Sequence, residues 1–307
     1  MRAWLQRLLL LAGRSYGNPA DTDQRALFGV LREIRTGSLR PAAHVRAGLT
    51  ALAQASQNWL VRTEVSASPV LQDPWPGDIR GRKEAFRRLR DTHAIQVALD
   101  LHDLQQAIAV AKAAVAAGAR FIEIGDPLIK SVGVVAIEHV KRAVPQTAVV
   151  AEMMSSDWGR DQVILAAESG ADVVLLIGPA STASVAAAVE ASQRLAIPVV
   201  LDAPAGRLDQ TWVHSMERTG IDGFAITTNI DLGVAGPHPL DQARTLRSWT
   251  RLPVAVSGGF GTADEVIATH HDWDILVVGR SVAEAVDPTA AAQQLINHIT
   301  AHPPRTG

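Results

Sequence analysis

The sequence predicts an α/β protein whose strands close into a barrel, with a helical extension before it. From residue 95 onward, eight short runs rich in β-branched residues alternate with alanine-rich stretches of helical length. Continuous apolar strands of this kind are typical of a parallel sheet that is buried on both faces. Eight strand–helix units favour a closed barrel, and no strand is followed by the glycine-rich turn of a dinucleotide-binding sheet. We therefore predict a (β/α)8 TIM barrel with an N-terminal helical extension.

The composition is that of a protein with a large buried core. The chain has 307 residues, of which 47% are hydrophobic and 20% charged, and it contains no cysteine. Disulfides, thiolate metal sites and a cysteine nucleophile are therefore excluded. The longest apolar run near the start, Leu8–Ala12, is far shorter than the ~20 residues of a membrane span, and no export signal is visible. We expect a soluble, cytoplasmic protein that does not enter a membrane.

The charges divide the chain close to the first predicted strand. Residues 1–94 contain 15 Lys and Arg against 8 Asp and Glu, whereas the remainder contains 14 against 23. A change of this size marks two regions of different character. We predict three parts, which are a basic helical extension over 1–93, the barrel over 94–302 and a C-terminal tail over 303–307.

The extension has the pattern of amphipathic helices and carries no catalytic motif. Asp21 and Pro41 are suited to begin its two helices. A proline-rich loop over 66–78 and a short basic segment, Arg80–Arg90, follow. We expect these elements to pack on the barrel or at a subunit contact. The arginines are not clustered with aromatic residues, so we expect no nucleic-acid binding.

The predicted strands place their carboxyl ends at one mouth of the barrel, which is where barrels of this kind carry their chemistry. The strands are Ile95–Asp100, Phe121–Gly125, Ala148–Met153, Asp172–Gly178, Ile197–Ala203, Gly223–Thr228, Pro253–Gly259 and Asp274–Gly279. Acidic residues lie in several of these strands or just after them, namely Asp100, Glu123, Glu152, Asp157, Asp202 and Asp231. A buried carboxylate costs free energy unless it is paired, hydrogen-bonded or bound to a metal. The ring of acids therefore predicts a functional site.

Two of these acids predict a metal site. Glu123 and Glu152 lie on the adjacent strands 2 and 3, where their carboxylates can meet over one hard cation. Oxygen ligands suit Mg²⁺, whereas the lack of cysteine, and of histidine within these strands, disfavours zinc. We predict Mg²⁺ as the cofactor, with Glu123 and Glu152 as its ligands.

The ends of the last two strands predict a phosphate site. Strand 7 ends in Ser257, Gly258 and Gly259, and strand 8 ends in Gly279 followed by Arg280. Glycines let backbone N–H groups approach an anion, and an arginine adds a charge-assisted contact. Barrels often bind phosphate after strands 7 and 8. We expect a phosphorylated substrate.

One histidine and one lysine lie near the same mouth. His238 follows strand 6, where a neutral imidazole can act as a general base near neutral pH. The alternative is a loop residue with no role in the chemistry. Lys130, after strand 2, is interpreted as a solvated charge.

The barrel region resembles the 3-hexulose-6-phosphate synthase / 3-keto-L-gulonate-6-phosphate decarboxylase family, within the orotidine 5′-monophosphate decarboxylase suprafamily. The resemblance is carried by Val97–Leu101, Ile122–Gly125, Pro127, Gly133, Asp231, Gly236–Leu240, Gly258–Gly259 and Val277–Arg280. It implies a barrel fold, a homodimer with active sites at the interface, Mg²⁺ held by acids such as Glu123 and Glu152, and a 1,2-enediolate formed from a ketose phosphate.

Two motifs depart from the family's pattern. The family's Asp-x-Lys-x-x-Asp on strand 3 is replaced by Glu152–Asp157, so that Met154 occupies the lysine position. The family's histidine at the end of strand 6 is replaced by Thr227. These losses affect the family's usual proton transfers, since neither methionine nor threonine can carry a proton near neutral pH.

The resulting functional hypothesis is a Mg²⁺-dependent lyase of the 3-hexulose-6-phosphate synthase type. Asp100, Asp157 and His238 are the candidate catalytic residues, and the resemblance implies that Asp157 reaches into the neighbouring subunit's site. Asp202, Thr227 and Asp231 join the phosphate site as substrate-binding residues. The alternatives are a decarboxylase of the related type, an isomerase or epimerase, and a homologue that binds sugar phosphate without catalysis.

Overall fold

The computed structural model contains a closed barrel of eight parallel strands in sequence order. It describes residues 75–301, except 77, 91, 204–207, 229–237, 262–263, 265–266 and 268–269. The strands are β1 (Ala94–Leu99), β2 (Phe121–Ile124), β3 (Ala148–Glu152), β4 (Val173–Ile177), β5 (Val199–Ala203), β6 (Gly223–Thr227), β7 (Val254–Ser257) and β8 (Ile275–Val278). β8 pairs with β1, which closes the barrel. The predicted fold class is confirmed.

Helices occupy each connection from β1 to β7, as the alanine-rich stretches predicted. Those of the described region are α1 (Arg82–Arg87), α2 (Leu104–Ala117), α3 (Asp126–Val132), α4 (Val135–Ala143), α5 (Gly159–Glu168), α6 (Thr182–Leu195), α7 (Gln210–Thr219), α8 (Pro239–Arg247), α9 (Arg280–Ala283) and α10 (Pro288–Ala301). Local sequence sets their ends, since Asp103 caps α2 through the backbone N–H of Gln106 at 2.8 Å. Gly118 then ends the same helix in the left-handed conformation, with φ of 104°.

Side chains along each strand alternate between two cores. The larger core lies between the sheet and the helices, and on β5 it takes Val199, Leu201 and Ala203. The smaller core fills the inside of the barrel, and on β5 it takes Val200. This alternation follows from the two-residue period of a strand. It determines which residues near the strand ends face the inside of the barrel.

The segment before β1 closes the amino-terminal end of the barrel. A 3₁₀ turn over Ile79–Gly81 leads into α1. Phe86 of α1 packs into the core inside the barrel, with only 2% of its surface exposed. A Cβ placed on Gly223, the first residue of β6, would lie 2.8 Å from the Phe86 ring, so the close fit requires glycine there. The rings of Trp75 and Phe121 meet edge to face at 5.6 Å beside it.

Three fully buried aspartates also lie at this end, each immediately before an even-numbered strand. Asp172, Asp222 and Asp274 accept hydrogen bonds from the backbone N–H groups of Val149, Val199 and Val254, at 2.8, 3.0 and 2.7 Å. Each aspartate also forms ion pairs. Their partners are Arg82 and Lys141 for the first, Lys83 and Arg87 for the second, and Arg247 for the third. These buried charges are therefore paired and hydrogen-bonded, as burial requires.

Other predictions lie beyond what the structure describes. The helices expected to begin at Asp21 and Pro41, and the tail over 303–307, fall outside the described residues. The basic segment that was assigned to the extension packs against the barrel through α1, and the predicted domain boundaries stay predictions. None of the described helices is long and apolar enough to cross a bilayer.

Candidate functional site

Three carboxylates meet at the carboxyl-terminal mouth of the barrel. Asp100 directly follows β1, Glu123 lies within β2 and Glu152 ends β3. Each offers one oxygen atom, and these three oxygens lie within 4.8 Å of one another. We call these residues the acidic triad. They line a cavity of about 90 Å³ that runs down the inside of the barrel to Phe86.

The predicted metal ligands Glu123 and Glu152 are thus brought together, and Asp100, which was predicted to be catalytic, joins them. The strand pairing explains this, because Ala98 on β1 stands beside Glu123 on β2, and Glu123 stands beside Val150 on β3. Asp100 and Glu152 each lie two residues further along their own strand lines. Side chains two residues apart point to the same face, so all three turn into the mouth.

Neighbouring groups hold the triad in place. The Gln96 amide donates a hydrogen bond to Glu123 Oε2, and the backbone N–H of Asp126 donates to Glu152 Oε2 at 2.7 Å. A Cβ on Gly125 would lie 2.0 Å from Asp100 Oδ1 and 3.1 Å from the Leu99 carbonyl oxygen, so only glycine leaves room for this carboxylate. Gln96 and Asp126 were not predicted. The signal for Gln96 was a polar residue four positions before Asp100 on the same face of β1.

Burial raises the pKa values of all three acids, and neighbouring carboxylates add to the rise. Desolvation raises the pKa of Asp100 while Arg280 opposes the change, and it raises the pKa of Glu123 well above the usual range, with further contributions from Glu152 and Asp100. The pKa of Glu152 rises to about 7, mainly through burial, against the hydrogen bond from Asp126. Among the described residues, the charges of Arg280 and Lys130 lower the pKa values of Asp100 and Glu152, but neither residue forms an ion pair with the triad. Ionising all three carboxylates in this environment is unfavourable, and a cation bound between them would offset their repulsion.

The donor set fits a hard divalent cation. It consists of three carboxylates and contains no histidine or sulfur, which matches the oxygen ligands of Mg²⁺. A Mg²⁺ ion held by a few carboxylates keeps other positions for water or substrate oxygens. The ammonium group of Lys130 does not serve as the cation of the triad, because its Nζ pairs with Asp126 Oδ2 at 2.7 Å and its side chain is 71% exposed.

A fourth acid lies at the mouth on β5. Burial raises the pKa of Asp202 to about 7, hydrogen bonds from the hydroxyl and backbone N–H of Thr227 oppose that rise, and Glu152 adds to it. Asp202 Oδ1 is buried and has no hydrogen-bond partner in the described part of the structure. Both residues were predicted to bind substrate, and Thr227 lines the cavity.

The predicted phosphate residues surround the ends of β7 and β8. Ser257 and Gly279 line the cavity, and a Cβ on Gly279 would lie 3.3 Å from Asp100 Oδ2. A Cβ on Gly258 would lie 2.5 Å from Pro239 Cγ, so this glycine makes room for the start of α8. Around Gly259 the space is open. Arg280 is exposed at the start of α9.

Three other predicted residues do not join the triad. His238 is exposed and caps α8, with Nδ1 3.4 Å from the backbone N of Leu240. Asp157 is exposed, and its Oδ1 accepts a hydrogen bond from the backbone N–H of Trp158 at 2.7 Å. Neither lines the cavity. Asp231 lies outside the described residues. The roles assigned to these three residues stay predictions.

Comparison with known proteins identifies the barrel. Residues 93–295 match the family described as orotidine 5′-phosphate decarboxylase / HUMPS. The chain belongs to this family. One curated family relative, the 3-hexulose-6-phosphate synthase of Staphylococcus epidermidis, is 32% identical over 203 residues, which make up 65% of this chain and 95% of the relative. The resemblance inferred from the sequence motifs is confirmed.

Solved structures agree with this membership. A crystal structure of a 3-hexulose-6-phosphate synthase shares 30% identity with a TM-score of 0.61 and covers 67% of this chain and 99% of its own. The synthase of Salmonella typhimurium shares 26% identity with a TM-score of 0.64, and the match covers 68% of this chain and 99% of the synthase. A 3-keto-L-gulonate-6-phosphate decarboxylase from Vibrio cholerae has the same fold, with 24% identity and a TM-score of 0.61. The match covers 69% of this chain and 99% of the decarboxylase. The named relatives that share more than 25% identity with this chain are 3-hexulose-6-phosphate synthases.

The two departures from the family's pattern occupy different surroundings. Met154, at the lysine position, follows β3 with φ of 37°, and 40% of its surface is exposed. Thr227, at the histidine position, ends β6 and lies inside the mouth against Asp202. The structure thus places an acid next to the position where the resemblance implies a histidine.

Proposed function

We propose that this chain is a Mg²⁺-dependent carbon–carbon lyase of the 3-hexulose-6-phosphate synthase type, which acts on a ketose phosphate through an enediolate. The observation that carries the proposal is the acidic triad at the barrel mouth, whose three oxygens lie within 4.8 Å of one another. It lies in a barrel of a family that includes 3-hexulose-6-phosphate synthases.

The triad would hold the metal at the point where the substrate enters the cavity. Asp100, Glu123 and Glu152 supply three oxygen ligands, and Mg²⁺ when bound would neutralise the negative charge that develops on the ketose oxygens. Gln96 and Asp126 keep two of these carboxylates oriented, because each donates a hydrogen bond to one oxygen. A preoriented site does not have to reorganise as charge develops during the reaction.

The phosphate group would lie over the ends of β7 and β8. Ser257 and Gly279 border the cavity there. The space beside Gly259 is empty, and the exposed Arg280 supplies a positive charge. A charge-assisted contact from arginine favours the phosphate dianion. Anchoring the phosphate on this side orients the carbonyl end of the sugar towards the triad.

We also propose that the active form is a homodimer with sites at the subunit interface. Met154 and Trp158, on the loop after β3, are 40% and 69% exposed in the single chain, and exposed large apolar side chains often mark protein contacts. Asp157 lies on the same loop and would act in the partner's site, as the family resemblance implies.

A second candidate function is an isomerase or epimerase that forms the same enediolate. The specific observation in its favour is the replacement of the family's lysine by Met154 and of its histidine by Thr227. Such an enzyme would remove and return a proton without forming a carbon–carbon bond. A decarboxylase of the related family type differs in its substrate, which carries a carboxylate that leaves as CO₂.

The experiment that tests the proposal is proton NMR of ribulose 5-phosphate in D₂O with the full-length protein and Mg²⁺, with and without formaldehyde. We expect stereoselective loss of the C1 proton signal, and formation of a hexulose phosphate when formaldehyde is present. EDTA should stop both. Exchange without any carbon–carbon bond formation would support the isomerase or epimerase instead. A bound sugar phosphate with no exchange would contradict the enediolate mechanism.

A matched pair of variants connects the result to the triad. Glu152→Gln removes one charge from the triad, whereas Glu138→Gln removes a charge that pairs with Arg142 on the exposed surface of α4. We expect the first variant to lose Mg²⁺-dependent exchange and the second to retain it. Equal activity in the two variants would show that the triad is not the metal site.

A further inference from the structure

The floor of the cavity is formed by a residue from outside the eight strands. Phe86 of α1 lines the same cavity as the acidic triad, whereas every other described residue of the lining belongs to a strand or directly follows one. Residues 75–92 precede residue 93, where the family match begins. The floor therefore comes from a part of this chain that the family's pattern does not cover.

Two aromatic rings connect this floor with the triad. The rings of Phe86 and Phe121 meet edge to face, with their centroids 6.4 Å apart. Phe121 is fully buried and begins β2, two residues before Glu123, so both side chains face the inside of the barrel. Phe121 is also the strand neighbour of Gln96, whose amide donates a hydrogen bond to Glu123 Oε2. The Phe121 ring thus lies one level below the carboxylate and beside the group that orients it.

The strands leave room at this level that the aromatic rings fill. The core inside the barrel takes alanines from β1, β3, β6 and β7, together with Trp75, Phe86 and Phe121. Trp75 packs edge to face against Phe121 at 5.6 Å, and the Phe86 ring is so close to Gly223 that a Cβ there would lie 2.8 Å from it. Because small side chains cannot expand into a vacated space, removal of the Phe86 ring would leave Phe121 unsupported from below.

Several independent contacts fix the position of α1 against the barrel. Arg82 and Lys83 form ion pairs at 2.9 Å with the buried aspartates that precede β4 and β6. Arg90 donates a hydrogen bond to the carbonyl oxygen of Thr250 at 3.1 Å. These contacts reach different connections of the barrel, so the loss of one leaves the helix in place. The Phe86 ring is therefore held at a defined depth in the cavity.

We propose that Phe86 is a positioning residue of the metal site, which acts through Phe121 and Gln96 to hold the Glu123 carboxylate in the orientation that binds Mg²⁺. The proposal rests on the Mg²⁺ site proposed above. Groups that orient a metal ligand without touching the metal contribute substantially to metal affinity. The functional unit of this chain then begins before the strands and includes the segment over 75–92.

The test measures the Kd of Mg²⁺ by isothermal titration calorimetry for the full-length wild type, Phe86→Leu and Phe86→Ala. The matched control is Leu89→Ala, because Leu89 is 1% exposed and belongs to the same inner core but does not line the cavity. We expect the Kd to rise about 10-fold in Phe86→Ala, the lower end for loss of an orienting group. It should rise less in Phe86→Leu and stay at the wild-type value in Leu89→Ala.

Two results would overturn the role of Phe86. One is an equal rise of the Kd in Leu89→Ala and Phe86→Ala, which would indicate a general loosening of the inner core. The other is a wild-type Kd in the Phe86 variants. Phe86→Leu keeps a buried apolar side chain and loses the ring contact with Phe121, so it decides the question alone if Phe86→Ala does not fold.

The dependence of C1 proton exchange on Mg²⁺ concentration gives a readout that a purely structural loss would not produce. Ribulose 5-phosphate in D₂O should exchange more slowly with the Phe86 variants at low Mg²⁺ and at the wild-type rate at saturating Mg²⁺, because only metal affinity is affected. A deficit that excess Mg²⁺ does not remove would contradict a role through the metal site.

Failure of this proposal is distinguishable from failure of the proposed function. No Mg²⁺ binding by the wild type would overturn the metal site and the role of Phe86 together. Mg²⁺ binding without C1 exchange in the wild type would overturn the enediolate function, and the Kd values of the variants would still decide the role of Phe86.

Discussion

The barrel carries buried carboxylates at both ends, and the two sets differ in what surrounds them. At the amino-terminal end, Asp172, Asp222 and Asp274 each have a backbone N–H donor and at least one Arg or Lys partner within 3 Å. At the carboxyl-terminal end, the described residues offer the triad two hydrogen bonds and no direct ion pair. Buried carboxylates are therefore paired with cations at one end of the barrel and, among the described residues, lack a paired cation at the other.

This difference follows from where the cations lie along the chain. Arg82, Lys83 and Arg87 all belong to α1, which closes the amino-terminal end. A buried pair with good geometry and further hydrogen bonds recovers much of the free energy lost on desolvation. Acids that lack such partners keep raised pKa values, and these are typical of functional sites.

The largest effect is expected when the triad loses a ligand. Glu123→Gln should lower Mg²⁺-dependent C1 exchange by on the order of 1,000-fold, since a single preorganised electrostatic group is worth up to about that factor. The free energy of unfolding should not fall, because a buried acid with a raised pKa is removed. The measurements are NMR exchange and urea unfolding. Retained exchange would show that Glu123 is not needed for metal binding.

At the amino-terminal end of the barrel, we expect a substitution to lower the stability and to leave Mg²⁺ binding unchanged. Asp222→Asn should lower the free energy of unfolding by about 3 kcal/mol, the lower end for breaking a buried pair, because Lys83 and Arg87 still reach water. Mg²⁺ affinity should be unchanged. The control is Glu84→Gln, which breaks an exposed pair between Glu84 of α1 and Arg88, the residue that follows this helix, and should cost less than about 1 kcal/mol. Similar losses in both variants would contradict the structural role of Asp222.

A smaller effect is expected from the glycine that accommodates Asp100. A Cβ in Gly125→Ala would lie 2.0 Å from Asp100 Oδ1, so the carboxylate must move out of the triad. We expect Mg²⁺ affinity, measured by isothermal titration calorimetry, to fall about 10-fold, comparable with loss of a group that orients a ligand. Gly81→Ala, where the added atom would only contact Pro76 at 3.5 Å, is the matched control. A normal affinity in Gly125→Ala would show that Asp100 does not bind the metal.

The sequence predicted the barrel well because its signal is local and repeated. Each of the eight strands lies where the β-branched runs predicted it, with ends shifted by one or two residues, as for β4 and β5. Glu123 and Glu152 were predicted as a pair from adjacent strands. The contact of Asp100 with that pair was not, because it depends on the stagger between β1 and β2 and on the space left by Gly125.

The partners of the other buried acids were also beyond sequence reasoning. Asp222 pairs with Lys83 and Arg87, which lie more than a hundred positions earlier in the chain. The hydrogen bond from Gln96 to Glu123 likewise joins two strands. Such contacts depend on closure of the barrel, which a linear pattern does not specify. Gly258 was predicted for phosphate, and its space is also needed by Pro239 of α8.

The last expected effect is the pH dependence of stability in the absence of Mg²⁺. The pKa values of Glu152 and Asp202 rise to about 7 in the folded state, from ordinary values of 4.5 and 3.8. The folded chain therefore holds more protons than the unfolded chain, so the stability is present at low pH and is lost as the pH rises from about 4 to 7. We expect the melting temperature to fall by on the order of 10 °C between pH 5 and pH 8 on account of these groups. Glu152→Gln should reduce this fall, and an unchanged slope would contradict the raised pKa.

The most direct test of the comparison is the effect of Mg²⁺ on the melting temperature at pH 7.5, measured for the wild type, Glu152→Gln and Asp222→Asn. A ligand that binds only the folded state raises its stability by RT ln(1 + [L]/Kd), where [L] is the free ligand concentration. We predict that Mg²⁺ stabilises the wild type and Asp222→Asn by the same amount and has little effect on Glu152→Gln. Equal stabilisation of all three proteins, or none in the wild type, would contradict a cation site at the carboxyl-terminal mouth of the barrel.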